Sequence, residues 1–394
     1  MSTVRRAVPA AVVAGLGAVL AAGATVRAWA TSGTPPLRPA QVRGIAELRK
    51  VRIGDTDQWI LQRGEDIDNP VVLFLHGGPG TSQLTTNRRS TRDLERQFVV
   101  VNWDQRGAGK SYAAVHDPDR MTIEQMIEDV RQVTELLLAR FGRRRIILVG
   151  HSWGSLLGVL TVARYPDLFH CYVGIGQVAC LRDGERASYA WTLEQARAAG
   201  DRRAVRRLVD MGTPPYPGGW QRKTVRQRGY LARFGGEVHG SRLGAAPLVL
   251  SGVLASREYT LPDRINLFRG IRDSMRLLWP QLMAVDLRSE VRSLEVPVVL
   301  VEGRHDHESP TAVAQQWFRA LDAPEKEWVW FEGSGHLPNA EERDRFNRLM
   351  IHRVRPYAVA GPAPTVPGPQ LAGWVAGAGT GPPAERPGDR PHLR

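Results

Sequence analysis

Cysteine is nearly absent from this chain: two in 394 residues, Cys171 and Cys180. They bracket an apolar segment, and if that segment is extended at about 3.3 Å per residue its ends lie beyond disulfide reach. Both read as buried thiols, and neither sits where a lipoprotein attachment would need one. No zinc-ligand spacing, helix-turn-helix or RNA-binding pattern accompanies the net charge of +13, so nucleic acid is not the expected partner. The charge is concentrated between Arg182 and Leu282, where 18 Lys/Arg stand against 9 Asp/Glu, mostly as scattered arginines that read as a solvated face. Gly107-Ala108-Gly109-Lys110-Ser111 would close a phosphate-binding loop only if position 104 were glycine, and it is Asp104. No cofactor or metal is expected.

Charge is also missing from Ala7 to Val26, a run preceded by Arg5-Arg6. Its length, about 20 residues, suits a membrane span. Arg27 then leads into Ala28-Trp29-Ala30, a small-x-small cleavage pattern. Residues 1–30 therefore read as a signal peptide or as an uncleaved anchor, with 7–26 as the membrane tether in the second case. Either reading puts the body outside the cytoplasm, secreted or membrane-bound. Residues 31–47, with Pro35, Pro36 and Pro39, read as a linker. After Tyr357 large apolar residues become scarce, and the Pro/Gly/Ala-rich stretch 358–394 cannot bury enough surface to order itself.

Between these ends the pattern alternates. Leu48 to Arg63 reads as a hairpin turning at Gly54-Asp55-Thr56-Asp57. Pro70–Leu75, Phe98–Trp103 and Arg145–Val149 are short apolar runs of strand length. Thr122 to Phe141 reads as a helix opened by a Thr122/Gln125 capping box and closed by Gly142, with Ile123, Met126, Ile127, Val130, Val133 and Leu137 on one face. Strand–helix alternation resumes at Val296–Val301, Ser309-Pro310 is expected to cap the next helix, and Glu327–Phe331 is the last strand. This rhythm predicts an α/β fold: a mostly parallel sheet covered by helices on both faces. It forms a core in two halves, 48–182 and 283–357. Residues 183–282 read as a helical lid inserted between them, over the strand ends where open α/β sheets bind ligands.

Three segments carry the chemistry. Gly150-His151-Ser152-Trp153-Gly154 follows an apolar strand and precedes a helical run, the pattern of a nucleophile elbow that lifts a serine hydroxyl out of the sheet. Asp306 and His336 each follow a later strand, which gives the order Ser…Asp…His of the α/β-hydrolases. Ser152 is the candidate nucleophile, His336 its general base and acid, and Asp306 the carboxylate that orients the imidazole, with Glu308 as its rival. The backbone N–H groups of Trp153 and of Gly78, in His76-Gly77-Gly78-Pro79-Gly80, are the candidate oxyanion hole.

Together with Trp103-Asp104-Gln105-Arg106-Gly107-Ala108-Gly109-Lys110-Ser111 and Ser152-Trp153-Gly154-Ser155, the His76–Gly80 motif makes the core resemble the proline iminopeptidase-like branch of the α/β-hydrolases, peptidase family S33. The resemblance implies a serine aminopeptidase working through an acyl-enzyme on short peptides or aminoacyl amides, with the substrate's free amine held by lid carboxylates. Two departures stand out. His151 occupies a position where that family usually has glycine, and the arginine-rich lid carries no recognisable amine-binding pattern. Glu185, Glu194, Glu237 and Glu258 are the lid candidates, and Glu237 is favoured because Gly235-Gly236 would let its backbone approach the site. A carboxylesterase or other acyl hydrolase on the same machinery is the competing reading. Oligomeric state is not legible.

Overall fold

The computed structural model describes residues 33–37, 42–254 and 256–359. The expected signal or anchor segment and the tail beyond Val359 lie outside the described residues. Among those described, no helix is long and apolar enough to cross a membrane. Eight strands form one sheet in the order β1-β2-β4-β3-β5-β6-β7-β8: β1 (Ile45–Ile53), β2 (Thr56–Gly64), β3 (Val71–Leu75), β4 (Val99–Asp104), β5 (Ile146–His151), β6 (Phe169–Ile175), β7 (Val298–Gly303) and β8 (Lys326–Phe331). The hairpin β1–β2 and the pair β2–β4 are antiparallel, and every other neighbouring pair is parallel. The hairpin turns tightly, with Ile53 opposite Thr56.

Continuous apolar runs become strands here because both faces of the sheet are covered. Val71, Leu73 and Leu75 pack into one hydrophobic cluster and Val72 and Phe74 into the opposite one, and β5 divides the same way. The main helices are α1 (Leu84–Ser90), α2 (Ile123–Phe141), α3 (Trp153–Arg164), α4 (Leu181–Ala198), α5 (Arg202–Met211), α6 (Trp220–Arg233), α7 (Ala246–Leu254), α8 (Leu261–Leu282) and α9 (Thr311–Ala320). On α2 the buried apolar residues are Met126, Ile127, Val130, Val133 and Leu137. Burying one such side chain is worth about 1.5–3 kcal/mol, which is enough to dock the helix by this face.

Local details differ from expectation in four places. Thr122 accepts the Gln125 N–H, but the Gln125 amide turns to Asp129, so the reciprocal half of the expected box is not made. A complete capping box instead opens α8, between Thr260 and Asp263. Ser309 does not cap α9: its N–H is given to the Asp306 carboxylate. The linker is shorter than expected, since β1 begins at Ile45, and part of it is docked: Gly33 N–H donates to the Arg257 carbonyl and Thr34 to Glu258.

Helices α4 to α8 all fall between β6 and β7 in the chain. Their attachment to the core is apolar, through Leu278 and Leu282 in the main hydrophobic cluster and Leu267 against Leu61 and Leu84, and also polar. Buried Asp104, at the end of β4, accepts hydrogen bonds from Ser82, from the Lys110 N–H and from Tyr259 of the insert. Burial raises this carboxyl to about 6 in spite of its donors. Lys110 reaches Asp263 on α8 at 2.7 Å. Cys171 and Cys180 are free and buried.

Candidate active site

β5 runs straight into α3 with only Ser152 between them, and the chain can reverse there only by a strained backbone. Ser152 has φ 54° and ψ −119°, the one positive φ outside glycine among the described residues. A single residue held in this region costs on the order of 1–3 kcal/mol and persists where its surroundings over-determine it. Glycines make the turn sterically feasible: a Cβ on Gly150 would run into the Gly154 carbonyl, and one on Gly154 into the Leu75 carbonyl. Ser152 N–H is anchored on the Ile175 carbonyl at the end of β6.

The His76–Gly80 turn lies beside this elbow, where the strand order reverses between β3 and β5. Gln105 fixes it. The Gln105 N–H donates to His76 Nε2 at 3.1 Å, its amide donates to the His76 carbonyl at 3.0 Å, and its Oε1 accepts the Trp153 indole N–H at 3.0 Å. With Nε2 an acceptor, His76 Nδ1 carries the proton and gives it to the Gly77 carbonyl. Burial holds this imidazole neutral, lowering it to about 4. Gly78, Ser152 and Trp153 line one cavity together. As the first residue of α3, Trp153 has an N–H with no intrahelical acceptor.

Asp306 follows β7 and His336 follows β8, and both are almost fully buried. His336 Nδ1 bonds Asp306 Oδ2 at 2.7 Å, while Asp306 Oδ1 accepts the N–H groups of Glu308 and Ser309 at 2.9 and 2.8 Å. The carboxylate on the imidazole is thus Asp306, and Glu308 supports it by its main chain. A Cβ placed on Gly176, next to the residue that anchors Ser152, would lie 2.9 Å from the His336 ring. Asp306 and His336 are thus bonded to each other at the end of the sheet where Ser152 also lies. Burial disfavours the His336 imidazolium, but the charges of Asp306 and Glu308 outweigh it and raise the group to about 9.

The cavity has a volume of about 260 Å³. Its wall is mostly apolar, with Leu156, Leu181, Ile271, Met275 and Trp279, and its charged groups are Glu308 and Arg228. Arg228 of α6 lies 3.7 Å from the Glu308 carboxylate, donates to the Glu308 carbonyl and pairs with buried Glu185. Burial opposes ionisation of Glu308, yet Arg228, and then His336, keep it below the usual carboxylate range. Glu237 reaches the site differently from what its glycines suggest. Its carbonyl accepts the His336 N–H at 2.7 Å, whereas its carboxylate sits against Gly244 and Ala245 and is raised to about 7 by burial and the nearby Glu308 charge. Glu194 is exposed and Glu258 pairs with Arg88. Among the described residues one cluster has metal-ligand composition, Cys180 with Asp183 and Asp286, but Arg288 binds both carboxylates.

The α/β-hydrolase fold model matches residues 70–230. The chain is 37% identical to "Probable aminopeptidase YbaC" of Bacillus subtilis over 315 residues, 79% of this chain and 98% of that protein. The chain belongs to the α/β-hydrolase fold family. Among solved structures, the proline iminopeptidase-related protein of Thermus thermophilus superposes with a TM-score of 0.56 at 19% identity, covering 78% of this chain and 97% of the other. The esterase RhEst1 of Rhodococcus sp. ECU1013 gives 0.51 at 19% identity, over 80% and 99%. At these identities the likeness is one of fold. As an α/β-hydrolase, this protein carries its candidate residues on the loops at the sheet's ligand-binding end.

Proposed function

We propose that the protein is a serine aminopeptidase acting on short peptides or aminoacyl amides through an acyl-enzyme. Ser152 Oγ attacks the scissile carbonyl carbon while His336 Nε2 takes its proton. The N–H groups of Gly78 and Trp153 receive the developing oxyanion, a stabilisation typically worth about 3–4 kcal/mol per donor. Collapse expels the amine with the proton from His336, and water then cleaves the ester by the same steps in reverse roles.

The observation that carries the aminopeptidase reading is Glu308, an ionised carboxylate beside Arg228 on the wall of a mostly apolar cavity that contains Ser152. A free α-ammonium would be costly to bury without such a partner. The 37% identical Bacillus relative, a probable aminopeptidase by name, points the same way. The apolar remainder of the wall supports the second reading, a hydrolase of small acyl esters. A turnover panel separates them. Free-amine aminoacyl arylamides should be cleaved and their N-acetylated forms left intact. Equal cleavage of blocked and free substrates, or turnover of short-chain esters alone, would establish the esterase reading instead.

A further inference from the structure

His151 is the elbow residue that departs from the family pattern, and it touches both the His336 loop and the His76–Gly80 turn. It ends β5 directly before Ser152 and is buried. Its Nε2 lies 2.9 Å from the main-chain carbonyl of His336, and its ring centroid is 4.8 Å from the His336 ring. Its Nδ1 lies 2.9 Å from the Gln83 side-chain amide nitrogen, just past the His76–Gly80 turn. A Cβ on Gly77 would lie 3.1 Å from the same Nδ1, so that turn packs against the ring as well.

A carbonyl oxygen can only accept, so Nε2 must carry the proton, which leaves Nδ1 free to accept from Gln83. One tautomer alone satisfies both partners. Burial, reinforced by the neighbouring His336, lowers this imidazole to about 3, so it serves as a fixed neutral donor and not as an acid or base. The other side of the same His336 residue is also held, because its N–H donates to the Glu237 carbonyl. His336 is therefore bracketed at the main chain: its N–H by the lid and its C=O by the elbow.

We infer that His151 is a positioning residue for the base: through Nε2–H···O=C it registers the His336 loop against the nucleophile turn. The inference rests on the Ser152–His336–Asp306 reading above. Displacing a base by about 1 Å can cost on the order of a hundredfold in rate. Losing the hydrogen bond should therefore slow the chemical step and leave binding in the cavity unchanged, since His151 is not part of its wall.

Saturation kinetics of a fluorophosphonate probe on the full chain test this without knowledge of the substrate. His151→Phe keeps the ring's shape and lacks the donor; it should lower kinact about 10- to 100-fold with KI within about threefold. His151→Gln restores an N–H at a similar reach and should recover kinact to within about fivefold of wild type. A purely structural role would lower the melting temperature of both variants without separating them in kinact. Gln83→Met leaves the elbow intact and unlocks the tautomer; a loss of about 3- to 10-fold in kinact is expected. Unchanged kinact in Gln83→Met counts against the inference whether or not His151→Phe folds. Equal kinact in wild type and a folded His151→Phe overturns it, as does a folded His151→Gln that fails to rescue. A wild-type protein that does not label at all overturns the triad reading, and this inference with it.

Discussion

In the sheet, Val71–Leu75 and Ile146–Val149 are buried on both faces and hold no ionisable group. In the lid, α4 and α6 meet through Gln227 with Ser188 and Thr192, and through Arg228 with Glu185. The sheet is held by apolar area, whereas this part of the lid sets buried polar pairs beside an apolar cluster that includes Tyr189, Ala196, Leu208 and Met211. The two regions also differ in how charge relates to position. The lid's arginines make it strongly basic as a segment. At the cavity, however, Arg228 faces Glu308 and Glu185, with Glu237 close by. The net charge of a segment thus says little about the charge of its inner face. An arginine-rich lid is compatible with capturing a cation.

If the loops of the sheet perform the chemistry and the lid side selects the substrate, substitutions should separate along that line. The largest effect belongs to Ser152→Ala, which should abolish fluorophosphonate labelling and turnover while the thermal melt stays cooperative; surviving labelling would relocate the nucleophile. Asp306→Asn should lower kcat by roughly 10⁴ with the fold intact, because the imidazole loses the acceptor that sets its tautomer. A loss of tenfold or less would assign that task to another carboxylate.

Glu308→Gln should act on recognition, raising KM for free-amine substrates about 10- to 100-fold, the range expected for losing a charge-assisted contact. It should also move the pH profile. His336 must be neutral to accept the serine proton, and at about 9 it is mostly charged at neutral pH. For a neutral ester, kcat/KM should therefore climb through pH 7–9. For a free-amine substrate, whose α-amine loses its proton near pH 8, the profile should be bell-shaped. Glu308 helps hold the proton on His336, so Glu308→Gln should shift the rising limb to lower pH. A limb that stays in place would mean that Glu308 does not act on the base. The smallest effect is purely structural: Thr260→Ala removes the capping box of α8 and should cost about 1 kcal/mol in a denaturant melt.

How much of this was legible depended on the range of the interactions. The strands, α2 and the elbow were readable because apolar periodicity and a glycine-flanked serine are local signals. Asp306 and His336 are bonded, at the end of the sheet that carries Ser152, because each of the three residues follows a strand of its parallel part. The lid was harder to read, since arginines are scattered through its helices and the polar residues Ser188, Thr192 and Gln227 are buried between them. Glu237 was favoured on a local glycine argument that correctly brought its backbone to the site but not its carboxylate. Glu308 faces the cavity because the Asp306 loop turns there, and its N–H is bonded to Asp306. That adjacency was present in the sequence as a spacing of two residues. Gln105 and Gln83 act across distances of 48 and 68 residues, with no local mark of their partners.

The main-chain carbonyls of Gly236 and Glu237 accept the N–H groups of His307 and His336, while Trp191 stacks on His307 and His239 on His305 at 3.9 Å. Two consecutive peptide units of the insert thus grip both of the loops that carry the proposed acid and base. This makes the insert a poor cassette for engineering. A graft that transplants a foreign lid to change specificity must also supply two carbonyl acceptors at the same height above the sheet, or the recipient will inherit a new binding cavity over a slackened base. Conversely, diversification confined to residues 220–228 and 271–279 would leave that grip untouched, and it is there that libraries for altered selectivity should concentrate.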